Sequence, residues 1–142
     1  MIRRGMSART EPMAIEEFLA LRMRSMATPA RIRAMHNPLR ANDAVITGAR
    51  HHFADHCASC HANDGSGSTD MGKNLYPKAP DLRASRTQDL TDGEIYAIIQ
   101  NGIRLSGMPA WGAGRKRRTR GTLDTGDEAS LNSLYPSWSH CC

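Results

Sequence analysis

At 142 residues the chain is near the commonest size of a single domain, and with 39% hydrophobic and 5% aromatic residues it is thin for a core of side chains alone. The net charge of +5 lies in the flanks, since residues 1–40 contribute +5, residues 41–114 contribute −2 and residues 115–142 contribute +2. No basic face with interleaved aromatic residues accompanies these flanks, which argues against nucleic-acid binding.

The first predicted element is an amphipathic helix over residues 10–27. Thr10 is a possible N-cap, and Pro12 falls in the first turn, where proline is tolerated. This helix can cover part of the domain or lie on a membrane surface, and we expect the first role. Its apolar face consists of Ile15, Phe18, Leu19, Met23 and Met26.

A second long helix is predicted from Asn42 or Asp43 to about Cys57, because either residue can cap it and apolar residues follow at helical spacing. Gly48 lies inside this helix at a cost of about 1 kcal/mol relative to Ala. The glycine therefore predicts a close approach by another backbone. The apolar positions of the helix are Ile46, Ala49 and Phe53.

Residues 62–81 are rich in Gly, Asn, Asp and Pro without sustained periodicity, which predicts a loop. A third helix then begins at Thr91 or Asp92 and ends at Gly102. Its shared apolar face comprises Ile95, Ile98 and Ile99. Strands have almost no support anywhere, so the sequence favours an all-α fold.

The segment "CASCH" contains Cys57, Cys60 and His61 within five positions. Zinc sites commonly take four ligands, and the remaining cysteines, Cys141 and Cys142, lie at the far end of the chain. A thioredoxin-like disulfide needs a strand–helix setting that is missing here. The form C-x-x-C-H is instead the attachment signature of c-type haem, in which two thiols bond one porphyrin and the histidine lies under the iron.

Met108 is the best-placed candidate for a second iron ligand, because it lies beyond an entire predicted helix from His61. Gly107 permits close approach of the backbone, and Pro109 stiffens the loop behind the sulfur. Trp111 supplies a large flat surface beside it.

Three other side chains near the motif are candidates of lesser weight. His52 and His56 lie one turn apart before the motif, where a solvated helical face is the favoured interpretation. Met71 follows His61 by only ten residues, a tether too short to carry it easily around a porphyrin to the opposite side.

Together, "CASCH", "NLYPKAPDL" and "LTDGEIYAIIQNGIRLSGMPAWG" resemble class I monohaem cytochromes c, in particular the bacterial kind with an N-terminal membrane anchor. The resemblance covers roughly residues 43–114. It implies an all-α cytochrome c-like fold around one haem c bound covalently through Cys57 and Cys60, with His61 and Met108 as iron ligands. It also implies that the Pro80 carbonyl accepts the hydrogen bond of His61 Nδ1, which would fix the orientation of the ring.

The ends of the chain depart from the family pattern. After Gly114 the sequence runs into "RKRRTR" and lacks the apolar C-terminal helix of such cytochromes, as a change of reading frame would explain. An export segment is missing at the start, so we expect a misassigned start and a full-length form anchored at the periplasmic side of the bacterial inner membrane. The sequence thus divides into an N-terminal flank (1–41), a haem domain (42–114) and an atypical basic tail (115–142).

The function expected from the resemblance is one-electron transfer without enzymatic activity, between membrane respiratory components such as a quinol-oxidising complex and a terminal oxidase. A His/Met pair fills both axial positions of the iron and leaves no position open for chemistry. The alternative is a haem enzyme or a ligand sensor in which the sixth position of the iron is open or Met108 is easily displaced.

Overall fold

The computed structural model of the protein describes residues 7–112, which form an all-α structure without strands, as predicted. These residues form three helices of ten or more residues and four single turns of helix. In chain order they are α1 (Ala14–Ala27), α2 (Ala30–Arg33), α3 (Asp43–His56), α4 (Ala58–His61), α5 (Asp70–Lys73), α6 (Ser85–Gln88) and α7 (Asp92–Asn101).

The ends of α3 and α7 confirm the capping signals in the sequence. The Asn42 side chain accepts the Val45 N–H at 2.9 Å at the start of α3. Thr91 forms a capping box with Glu94 at the start of α7, and Gly102 ends that helix with a φ of 64°.

Helix α1 begins later than predicted. Its first residue is Ala14, so Thr10 and Pro12 precede the helix. The Glu16 carboxylate accepts the Met13 N–H at 2.9 Å and thereby satisfies one of the donors left unpaired at a helix start. The start of the helix is therefore set by Glu16.

The expectation that α1 covers the domain with its apolar face is wrong for the described residues. The apolar side chains of the helix are exposed, by 55% at Phe18 and 82% at Met26. The helix is fastened instead by two of its own acidic side chains and by one that precedes it, because these face the loop that precedes α6 and α6 itself. The pairs are Glu11 with Lys78, Glu16 with the Tyr76 hydroxyl, and Glu17 with Arg86.

A close backbone contact joins α2 to α7. A Cβ atom at Gly93 would lie 1.6 Å from the Ile32 carbonyl oxygen, so only glycine permits this packing. Just before it, the Asp92 carboxylate accepts the Asn37 N–H at 2.9 Å. The segment between α1 and α3 is thus held against the start of α7.

The fully buried apolar residues of the described chain are few: Ala49, Phe53 and Tyr96. The predicted isoleucine face of α7 is half-buried, with Tyr96 the more deeply buried residue. A side-chain core this small buries little apolar surface. The interior of the fold therefore needs another apolar group to fill it, as the composition indicates.

The close approach predicted at Gly48 is not present in the described part of the chain. Nothing lies within 4 Å of a Cβ atom built there. The predicted tail, residues 115–142, lies outside the described residues, and the proposed division of the chain into three parts stays a prediction. Within residues 7–112 no helix has the length and apolar character needed to cross a membrane.

Candidate functional site

The C-x-x-C-H residues form a single turn at the end of α3. The Cys57 carbonyl accepts the N–H groups of Cys60 at 3.1 Å and His61 at 2.9 Å, which closes α4. Both thiols are free, and the side chains of all three residues are half-buried. The turn therefore presents two sulfurs and an imidazole from one short stretch of backbone.

Thr69 fastens the following loop to this turn. Its hydroxyl lies 2.8 Å from the Ser59 carbonyl oxygen and 3.1 Å from that of Cys60, and it accepts the Gly72 N–H at 2.8 Å. Gly72 is buried directly against the motif, since a Cβ there would lie 2.3 Å from the Cys60 carbonyl oxygen. One side chain thus caps α5 and holds α5 against α4. The sequence analysis missed this role of Thr69, for which the cap-forming pair "TD" before α5 was the available signal.

The loop after the motif stacks His61 and Pro80 on either side of Gly67. The Gly67 N–H donates to the His61 carbonyl at 2.8 Å. A Cβ at Gly67 would lie 2.5 Å from the Ala79 carbonyl oxygen and 3.0 Å from that of Pro80, and the φ of Gly67 is 70°. Glycine is thus required at residue 67, where the loop that follows the motif touches the backbone of residues 79–80.

The ring of His61 has a buried Nδ1 atom that makes no hydrogen bond of ordinary geometry among residues 7–112. Burial lowers the pKa of His61, and the Pro80 carbonyl opposes that effect by raising it. The Pro80 carbonyl therefore interacts with the ring of His61, as the resemblance implies, although the contact falls short of a full hydrogen bond. A lowered pKa keeps the imidazole neutral, the form that binds metal ions.

The thiol of Cys57 is shifted in the opposite sense. Burial, with a smaller contribution from neighbouring Cys60, raises the pKa of Cys57 to about 11. The sulfur is therefore held as a neutral thiol at neutral pH.

The loop that carries Met108 is fastened to the end of α7. The Met108 carbonyl accepts the Ile103 N–H at 3.1 Å, and the Ser106 hydroxyl accepts the Met108 N–H at 3.2 Å. Further on, the Trp111 N–H donates to the Ile99 carbonyl at 3.0 Å. The side chain of Met108 is half-buried.

Two contacts bring this loop to the attachment turn. Gly107 lies against the side chain of Leu75, which follows α5, since a Cβ at Gly107 would be 2.5 Å from Leu75 Cδ2. The ring of Trp111 packs against His56, with 5.4 Å between ring centroids. The loop thus packs on Leu75, just after α5, and on the last residue of α3, just before the motif.

The contact of His56 with Trp111 was not foreseen. His56 is exposed and also lies 4.6 Å from the ring of His52, whose pKa is lowered by burial and by His56. The spacing of His52 and His56 predicts that the two rings are neighbours on one helix. Nothing in the sequence indicates which loop packs against them. Met71, on α5, is 57% exposed.

The predicted residues fit a covalently bound haem. Two thiols and an imidazole of lowered pKa lie in one turn, a thioether lies in a loop packed on the same region, and the side-chain core is small. The Nδ1 atom of His61 is buried and faces Pro80. This is the arrangement typical of a histidine that binds a metal through its other ring nitrogen, Nε2.

The helical fold and this attachment turn define a c-type cytochrome, a protein that binds haem and transfers electrons. Residues 44–118 match the family model of cytochrome c oxidase, cbb3-type, subunit III, and this match spans more than half of the chain. The chain therefore belongs to that family, whose cytochrome c domain implies covalently bound haem c. No curated protein and no solved structure matches the chain.

Proposed function

We propose that the chain carries one haem c, attached through Cys57 and Cys60, and passes single electrons between components of a respiratory chain. His61 and Met108 would be the protein ligands of its iron. The observation that carries this proposal is the convergence of the Met108 loop on the attachment turn, through Leu75 and through the packing of Trp111 on His56.

Each residue has a separate task in this arrangement. The thiols of Cys57 and Cys60 would hold the porphyrin through thioether bonds to its two vinyl groups. The Pro80 carbonyl orients the ring of His61, and the neutral state of that ring leaves Nε2 free to bind iron. When bound, the haem supplies a one-electron couple, whose potential the Met108 thioether raises.

The partners follow from the family. The family is that of subunit III of cbb3-type cytochrome c oxidases, so we propose redox partners in a respiratory oxidase context, including a quinol-oxidising complex or a terminal oxidase. Contacts of this kind are small and transient. We place the protein at the periplasmic side of the bacterial inner membrane, because haem c is attached there.

Attachment is tested by changing each cysteine to alanine. Cys57→Ala and Cys60→Ala should each leave one thioether, shift the pyridine haemochrome band accordingly and lower the retention of haem in denaturant. An unchanged haemochrome in both variants would show that the haem is not bonded at this motif.

The ligand assignment is tested by comparing two methionines. Met108→Ala should abolish the weak sulfur-to-iron charge-transfer band of the ferric protein, lower the reduction potential and open the iron to carbon monoxide. Met71→Ala, at an exposed position, is the matched control and should change none of these. Survival of the band in Met108→Ala would overturn the assignment.

A second candidate function is that of a haem enzyme or ligand sensor in which Met108 leaves the iron. It is favoured by Leu105, which holds a φ of 61° in the Met108 loop at a cost on the order of 1 kcal/mol or more. Opening of the loop would relieve that cost. Rapid binding of carbon monoxide to the reduced wild-type protein would support this candidate, whereas an unchanged spectrum supports electron transfer.

A further inference from the structure

Helix α1 turns its acidic side toward the haem region and its apolar side away from it. The carboxylates of Glu16 and Glu17 pair with Tyr76 and Arg86. At 100° per residue, the opposite side of the helix carries large apolar residues that are between 52% and 82% exposed. These residues, called here the outer face, are Ile15, Phe18, Leu19 and Met26.

Arginines accompany the outer face. The guanidinium of Arg22 lies 5.8 Å from the centre of the Phe18 ring, so a positive charge is placed among the apolar side chains. Arg33, on α2, reaches Ser25 of α1 at 3.5 Å and adds a second exposed charge at the edge of the outer face.

The sequence from residue 18 to residue 42 carries only positive charges. Residues 18–42 contain five arginines and no acidic residue, and Glu11, Glu16 and Glu17, which precede them, are paired toward the haem region. The surface that α1 and α2 present outward is therefore apolar and basic. Such a surface is complementary to the surface of an acidic bilayer, where anionic headgroups cover an apolar interior.

We propose that α1 binds anionic lipid and lies in the plane of the membrane surface, with its outer face inserted among the headgroups. The helix has 14 residues, and none of the helices within residues 7–112 spans a bilayer, so binding in the plane is the mode open to it. Arg22 snorkels to the phosphates while its aliphatic stem remains beside Phe18.

The contacts of α1 then determine how the haem region is held. Tyr76 and Lys78 lie a few residues before Pro80, whose carbonyl acts on the ring of His61. A membrane-bound α1 therefore places the loop of residues 76–86 on the side of the helix that faces away from the lipid. This orientation goes beyond electron transfer itself, because lipid binding does not depend on the iron ligands.

The test is sedimentation of the haem-loaded full chain with vesicles. Phosphatidylcholine vesicles with and without phosphatidylglycerol should give binding only to the anionic ones, and added salt should weaken it. Phe18→Ser combined with Leu19→Ser should reduce binding roughly tenfold or more. Arg22→Gln combined with Arg33→Gln should reduce binding about fivefold for each charge.

Met71→Ser is the matched control, because Met71 is a similarly exposed apolar residue away from α1. It should bind like the wild type, and circular dichroism should show equal helix content in all variants. The proposal is overturned by equal binding to neutral and anionic vesicles, by no binding, or by full binding of the Phe18→Ser, Leu19→Ser variant. It is also overturned if the lipid-free chain is a dimer that the same double substitution dissociates, since the outer face would then be a protein interface.

Discussion

The loops around the attachment turn and helix α1 are held to the molecule by different kinds of contact. Around the motif, backbone meets backbone at glycines: Gly67 lies against Ala79 and Pro80, and Gly72 lies against Cys60. Helix α1 has no buried residue, and among residues 7–112 the side chains of its acidic residues link it to the loop before α6 and to α6 itself.

The loops around the motif are therefore held rigidly, whereas the position of α1 is free to adjust. Buried backbone contacts tolerate almost no added volume, so they hold the haem-binding loops in one arrangement. Exposed ion pairs are weak and screened by salt, so α1 is attached without being locked. Four experiments test this contrast, beginning with the largest expected effect.

Gly72→Ala should disrupt the motif region. The new Cβ would lie 2.3 Å from the Cys60 carbonyl oxygen and 2.6 Å from that of Gly67, and backbone atoms cannot move away cheaply. We expect the free energy of unfolding to fall by about 3 kcal/mol, measured by urea denaturation. Gly48→Ala is the control in α3, where nothing described lies within 4 Å, and it should gain about 1 kcal/mol of helix stability. Equal stability of the two variants would contradict the packing of Gly72.

Gly93→Ala should detach α2 while leaving the motif in place. A Cβ 1.6 Å from the Ile32 carbonyl oxygen forces α2 away from α7. Trypsin should then cleave at Arg33 roughly tenfold faster, because local opening costs less. Cleavage at Arg104, in the Met108 loop, is the internal control and should not change. Faster cleavage at both sites would mean that the whole fold, and not only α2, had loosened.

Glu16→Gln combined with Glu17→Gln should release α1 alone. The two side chains lose their charge toward Tyr76 and Arg86 on an exposed surface. Amide hydrogen exchange in α1 should accelerate, whereas the urea midpoint of the rest of the chain should stay nearly the same. A large fall in that midpoint would show that α1 supports the haem region after all.

The smallest effect is expected at Asp81, where hydrogen bonds from Arg83 lower the pKa to about 2 from the ordinary 3.8. Because the folded pKa is the lower one, the stabilisation is fully present above about pH 3.8 and is lost as the pH falls through about 2. Arg83→Gln should remove this part of the acid dependence, as seen in unfolding curves between pH 4 and pH 2. An unchanged acid limb in that variant would show that the pair contributes nothing.

Local signals in the sequence were reliable where one residue determines one feature. Asn42, Thr91 and Gly102 fixed helix ends that the structure confirms, because capping needs only neighbouring backbone atoms. The C-x-x-C-H spacing likewise placed three reactive side chains in one turn without any knowledge of the fold.

Features that depend on distant partners could not be predicted. The apolar face of α1 was expected to pack inward, but Glu16 and Glu17 on the other side found partners 60 and 69 residues away. The packing of Trp111 on His56 also arises from the path of the loop after α7. Periodicity identifies a face, whereas only the assembled fold decides what that face meets.

The burial of the Cys57 thiol has a consequence for the chain before it acquires its cofactor. A shift of the pKa from 9.0 to about 11 lowers the thiolate fraction at neutral pH about a hundredfold. A Cys57–Cys60 disulfide forms by attack of a thiolate, so Cys57 is a poor nucleophile for this reaction at neutral pH although the two sulfurs lie within one turn. Burial in the folded chain thus makes the first cysteine of the turn resistant to direct oxidation.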